Sequence, residues 1–150
     1  MTDKKTLGII GGMGSHASLW LINRIIQLCK VHNDQDYLEI ILHSNSKIPD
    51  RTKAILHGGA SPLPELKRSI SFLSDQGIDV VVMACMTAYY YYPDLVDQFT
   101  GTLLHPIDFV VEELKNNAHC KNKKRIGLIG STGMLKSQIY HRKLELLGYE

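Results

Sequence analysis

Cysteine is scarce and scattered in this chain. Only Cys29, Cys85 and Cys120 occur in 150 residues, an odd count with no CxxC pair, which argues against a disulfide framework. Zinc needs about four clustered ligands, and the histidines and cysteines never gather; His119-Cys120 lies in the polar run "KNNAHCKNKK", which reads as a solvated loop. No metal site is expected. Neither sign of charge dominates, with 17 basic against 15 acidic residues and a net charge of +2. That balance gives no reason to expect a nucleic-acid or membrane partner. No run approaches the ~18 apolar residues of a membrane span, and "MTDKKTLGIIGG" is too polar for a signal peptide. A cytoplasmic location is expected.

What the chain does have is 44% apolar residues, enough for a core at single-domain length, and an alternation of two periodicities. "TLGIIGG" reads as a strand over about 6–11. "ASLWLINRIIQLCKV" reads as a helix with Leu19, Ile22, Ile25, Ile26 and Cys29 on a core-facing stripe. "YLEIILH" is a second strand, and "SNSKIPDRTKAILHGGASP" reads as a loop. "PLPELKRSISFLSDQG" is a helix burying Leu66, Ile70 and Leu73 and stopping at Gly77. "IDVVVMA" reads as the most buried strand, apolar on both faces. A helix carrying Leu95 and Phe99 is expected after Cys85. A short strand at "TLLH", a helix "PIDFVVEELKNN" opening on Pro106, a strand "KRIGLIGS" and a helix "MLKSQIYHRKLELLG" complete the series. Strand–helix alternation implies an α/β fold, a parallel sheet flanked by helices with right-handed crossovers.

In such sheets ligands sit at the C-terminal strand ends, here the segments 11–16, 44–52, 85–89 and 130–134. Cys85 occupies one of them, where it is either a reactive thiol or one more small core residue. Gly12-Met13-Gly14-Ser15-His16-Ala17 fits the dinucleotide pattern G-x-G-x-x-G/A, with Glu39 downstream. The same turn offers backbone N–H groups that suit a carboxylate equally well. Arg51 in "IPDRT" suits a bidentate carboxylate pair, or else pairs with Asp50 in solvent.

"LGIIGGMG" (7–14) echoes "IGLIGSTG" (126–133), each a strand entering a glycine turn before an amphipathic helix. A second copy of one unit then begins near residue 119. The expected organisation is a first domain over 1–118, followed by a linker, strand and helix (119–150) that begin an incomplete second domain. A lone strand–helix pair cannot bury its own faces, so Ile139, Leu144 and Leu147 are expected to be exposed and to promote a homodimer.

Four stretches together, "GIIGGMG", "IPDRT", "ACMTAYYYYPDL" and "GLIGSTGMLKSQIYHRKLELLG", resemble the aspartate/glutamate racemase family over the whole chain. The resemblance implies two similar α/β domains with an active site between them and no pyridoxal phosphate or other cofactor. It also implies two cysteines on opposite faces of the substrate's α-carbon, one removing a proton as the other delivers one. A free thiol has a pKa of about 8.5, so the base needs nearby helix N-termini and backbone dipoles. Carried over by position, Cys85 is the first thiol. The Met13-Gly14 turn and Thr87 contact substrate, Arg51 takes the side-chain carboxylate of aspartate or glutamate, and Ser131 and Thr132 contact the α-carboxylate. The small-molecule partner is then an amino acid or dicarboxylate.

Three departures qualify this. The family pattern Pro-Cys-Asn-Thr-Ala-His reads here Ala84-Cys85-Met86-Thr87-Ala88-Tyr89. Met86 cannot offer an amide to the substrate, and Tyr89 removes a group that titrates near neutrality. Third, the offset of the echo is 126 − 7 = 119, which places the counterpart of Cys85 near 85 + 119 = 204, beyond these residues. Cys120 precedes the second strand and is no substitute. The alternatives are a related single-cysteine decarboxylase or isomerase, or a truncated, inactive homologue serving as an interaction module.

Overall fold

A computed structural model describes residues 5–117, 120 and 123–150. Four strands form one parallel sheet: β1 (Leu7–Gly11), β2 (Ile40–Ser44), β3 (Val80–Met83) and β4 (Thr102–Leu103), in the order β2-β1-β3-β4. Register runs Leu7↔Ile40 on one side of β1 and Leu7↔Val80 on the other. The order reverses direction at β1, so the ends of β1 and β3 flank the crevice where such sheets hold ligands. Every residue of β1 is buried, whereas Val80 and Val82 are only half-buried, which makes β1 rather than β3 the innermost strand.

The helices are α1 (Ser15–Leu28), α2 (Arg51–His57), α3 (Leu63–Asp75), α4 (Pro106–Asn116), α5 (Thr132–Lys136) and α6 (Ile139–Glu145). α3 buries Leu66, Ser69, Ile70 and Leu73 as its periodicity dictates. α1 departs from expectation. Ser18 is its one buried residue, while Leu19 and Ile26 are exposed and Cys29 is half-buried. The cause is local: Gly11 has no Cβ, one built there would overlap the Ser18 hydroxyl, and the helix approaches the sheet through this small pair. The bulkier apolar residues are thereby turned off the sheet.

Three further segments correct the sequence reading. The presumed loop after β2 contains α2, capped by the Asp50 side chain accepting from Lys53 N–H at 2.7 Å and ended by Gly58 in the left-handed region at φ 63°. The segment after Cys85 is a 3-10 helix over Met86–Asp94 with a second 3-10 turn at Val96–Gln98, though Leu95 and Phe99 are buried as expected. Pro93 lacks the N–H that an α-helix needs there.

The third lies at the end of the chain. "KRIGLIGS" forms no strand among the described residues, and the following helix divides into α5 and α6 at Gln138, whose φ is 55°. What pairing 124–130 has is with the last residue: Ile126 N–H donates to Glu150 O at 2.9 Å, and Glu150 N–H to Lys124 O at 2.6 Å. Leu7, 119 residues before Ile126, likewise donates its N–H to a glutamate carbonyl, Glu39 O at 2.9 Å, but the two acceptors are 111 residues apart, so the offset of 119 is not kept by this pair of bonds. The apolar face of α6 is covered, contrary to expectation. Leu144 packs with Ile107 and Val111, Ile139 is partly buried against the main core, and Lys143 bridges Asp108 at 2.6 Å. Leu147 alone of the three is exposed. The boundary expected at 118/119 and His119 lie outside the described residues.

Candidate active site

The four strand-end segments converge on one cavity of about 770 Å³. The turn after β1 contributes Met13, the start of α2 contributes Asp50, Arg51 and Thr52, and the turn after β3 contributes Cys85, Met86 and Thr87. Gly130, Ser131 and Met134 close the far side. Of the residues expected at a site, Met13, Arg51, Cys85, Thr87 and Ser131 therefore share a wall. Gly14 and Thr132 are exposed and lie outside the lining; Gly14 shapes its turn at φ 113°, and Thr132 is the first residue of α5.

Cys85 is half-buried in extended backbone at the end of β3, just before the 3-10 helix. Ala84 N–H still donates to Ile10 O at 2.9 Å, so the sheet fixes the backbone up to the thiol. Cys29 and Cys120 do not line the cavity.

Arg51 is held by backbone carbonyls. Its Nη1 donates to Pro49 O at 2.9 Å and Ile48 O at 3.4 Å, and its Nη2 to Met13 O at 3.4 Å, while Nε is buried without a partner. A guanidinium has five N–H donors, so this clamp joins the loops after β1 and β2 and leaves an Nη2 N–H for a ligand. Beside it, the Lys53 backbone N–H holds the Asp50 carboxyl below its ordinary pKa.

Thr87 and Ser131 are bonded hydroxyl to hydroxyl at 3.1 Å, and Ser131 Oγ also accepts from Met134 N–H at 3.3 Å as the cap of α5. Whichever hydroxyl donates within the pair, the other keeps its proton for a ligand acceptor. Behind Cys85, Tyr89 Oη accepts from Met83 N–H at 2.9 Å, and burial pushes its phenol pKa well up, so it is neutral. Tyr140 of α6 donates its hydroxyl to Met86 Sδ at 3.0 Å. That contact, the Asp50 cap and α2 had no expectation attached to them; Asp50 three residues before Lys53 was the readable signal for the cap.

A family model described as Asp/Glu/Hydantoin racemase matches residues 10–150. The chain belongs to this racemase family. Among curated relatives, the broad specificity amino-acid racemase RacX of Bacillus subtilis (strain 168) is 25% identical over 152 residues, covering 96% of this chain and 62% of that protein. The glutamate racemase of Aquifex pyrophilus is 37% identical over 75 residues, 49% of this chain and 28% of that one. Among solved structures, Picrophilus torridus aspartate racemase superposes with a TM-score of 0.83 at 30% identity, over 97% of this chain and 61% of that one. The Aquifex pyrophilus glutamate racemase structure gives 0.64 at 26% identity, over 96% and 52%. The chain thus spans between about half and three-fifths of the length of the relatives it matches along its whole extent.

Proposed function

We propose that this chain carries the Cys85 half of a cofactor-independent amino-acid racemase site, working without pyridoxal phosphate in the cytoplasm. The Cys85 thiolate takes the α-proton: the Cα–H bond breaks, an S–H bond forms, and the electron pair moves into the substrate carboxylate as an enediolate. The free proton of the Thr87–Ser131 pair meets that growing charge with a fixed donor, which is where preorganised polar groups contribute most, while Arg51 takes the substrate's side-chain carboxylate. The reverse step returns a proton from sulfur to carbon. Cys85 is the single thiol among the residues lining the cavity, so the chain's own chemistry is exchange at one face; inversion requires an acid on the other. The reading is carried by Cys85, Arg51, Thr87 and Ser131 meeting at one cavity in a member of this family.

The test is α-proton exchange in D₂O, followed by proton NMR over a panel of amino acids. Loss of the α-proton signal that disappears in Cys85→Ser supports the reading; no exchange with any amino acid, or exchange that survives Cys85→Ser, removes it. A second reading rests on the same lone thiol between apolar walls: protonation of the enolate left when a substituted malonate loses CO₂. Release of CO₂ from malonates without amino-acid exchange would select it. A homodimer belongs to the primary reading, supported by Leu19, Ile26 and Leu28 exposed on α1, and light scattering tests it.

A further inference from the structure

Arg51 can serve a ligand carboxylate only if its fork is aimed, and what aims it lies outside the cavity. The carbonyls that hold the fork belong to Met13, Ile48 and Pro49. All three lie within a few residues of one contact, where the turn after β1 meets the turn after β2. Gly12, at φ 83°, lies against the Asn45 peptide so closely that a Cβ there would overlap it. Asn45 N–H donates to Gly11 O at 3.2 Å and to His43 O at 3.0 Å, and Ile48 N–H reaches back to Asn45 O at 3.4 Å.

Asn45 is 3% exposed and does not line the cavity. Its side chain nevertheless uses every polar atom. Oδ1 accepts from Lys47 N–H at 3.0 Å. Nδ2 donates to Glu65 Oε2 and Ser69 Oγ on α3, each at 3.0 Å, and approaches Glu65 O at 3.3 Å. Ser69 is itself buried and gives its hydroxyl proton to Glu65 O at 3.0 Å, so its lone pairs face the amide. Turning the amide over would set its oxygen against the Glu65 carboxylate and carbonyl, so one orientation is fixed. Shifting the turn would strand these groups away from water, and a buried polar network resists that strongly.

We propose that Asn45 is a positioning residue for this site: it ties the meeting point of the two turns to α3, and so fixes the carbonyl socket that aims the free Nη2 N–H of Arg51. The proposal rests on the reading of Arg51 as the donor to a ligand carboxylate. Without the Asn45 amide the fork is free to swing, and the ligand loses about tenfold in affinity, the worth of one hydrogen bond between charged partners.

The seating of Arg51 is read without ligand by heteronuclear NMR of the arginine side chains, its signals assigned by their absence in Arg51→Lys. A fork held at three carbonyls turns slowly about Nε–Cζ. Its two Nη signals should be resolved in the wild-type chain and merge in Asn45→Ala. Ser69→Ala removes one acceptor of the amide while keeping a good helix former, and should merge them too even where Asn45→Ala does not fold. Val111→Ala, in the separate cluster with Ile107 and Leu144, destabilises the chain elsewhere and should leave them resolved. In parallel, aspartate and glutamate are titrated for protection of Cys85 from iodoacetamide, read by peptide mass spectrometry with Cys29 and Cys120 as internal controls. Asn45→Ala and Ser69→Ala should raise the concentration needed by about tenfold, and Val111→Ala should not. Nη signals that stay resolved in the folded variants, or that are merged in the wild-type chain, overturn the proposal. So does unchanged protection where they merge, and so does merging in Val111→Ala, which would reduce the effect to global stability. If neither amino acid protects Cys85 of the wild-type chain, the carboxylate reading of Arg51 falls and takes the ligand half of the proposal with it, while the NMR result still decides the hold of Asn45 on the fork.

Discussion

Replacing Gly133 with alanine tests whether the segment after residue 123 is seated on the first unit as described. In an open helix the change would gain about 1 kcal/mol of propensity. Here α5 lies against α2, and a Cβ at Gly133 would overlap Thr52 Oγ1 while standing 3.0 Å from Thr87 Cγ2 and 3.1 Å from Thr52 Cβ. Rotating the Thr52 hydroxyl away relieves the first contact only. The other two must be relieved by moving α5, at the roughly 1–3 kcal/mol typical of overpacking, and such a shift also strains the Thr87–Ser131 bond, which is worth about 1 kcal/mol. Set against the propensity gain, Gly133→Ala should lose about 1–2 kcal/mol in urea unfolding. It should also make Cys85 alkylate faster, because Ser131 and Met134 line the same cavity. Thr52→Ala removes the obstructing atoms, so the double variant should recover part of the loss, a coupling that a double-mutant cycle reads directly. Wild-type stability in Gly133→Ala, with no coupling to Thr52, would refute the packing of α5 on α2.

Tyr89→Phe deletes the hydroxyl that accepts from Met83 N–H, a donor on the β4 side of β3 beyond the last pair Val81↔Leu103; urea unfolding should show a loss of about 1–3 kcal/mol. His105 caps α4 through Nδ1 and contacts the rings of Tyr89 and Tyr92, and burial lowers its pKa. The unfolded chain therefore binds that proton first as the pH falls, so the contribution of His105 is intact above its unfolded pKa of about 6.5 and is lost below it. His105→Asn keeps a capping group and should flatten the fall in stability between pH 7.5 and 5, leaving the part due to His43, which burial lowers in the same direction. Arg51→Lys keeps the charge but cannot span Ile48, Pro49 and Met13, so amino-acid protection of Cys85 should weaken by about tenfold or more; unchanged protection would show that the fork is not needed.

The parallel sheet and its strand ends were legible because β1, β2 and β3 are apolar runs closed by turn residues, and the elements between them have helical period. The site's components were legible for the same reason: in a parallel sheet, chemistry gathers where strands end. Other features depended on tertiary context. α2 was hidden by Pro49 before it and Gly58-Gly59 after it, with only Asp50 marking its cap. Four successive tyrosines carry no face preference in their order. Tyr89 and Tyr91 are buried while Tyr90 is exposed, an assignment made by the Met83 donor and the core rather than by periodicity. The stripe on α1 was read as core, but the Gly11–Ser18 approach decides which side meets the sheet. "KRIGLIGS" has strand composition, yet a strand exists only with a partner, and Glu150 supplies just the first bonds of one.

The central claim is that the Cys85 thiol faces the α-carbon of a bound amino acid, and enantiomer-resolved deuteration tests it most directly. Each enantiomer is incubated separately with the chain in D₂O, and α-deuterium and configuration are read by chiral chromatography with mass spectrometry. A single thiol on one face should deuterate one enantiomer with retention, leave the other untouched, and lose all exchange in Cys85→Ala. Equal deuteration of both enantiomers, or exchange that persists without Cys85, would contradict the account.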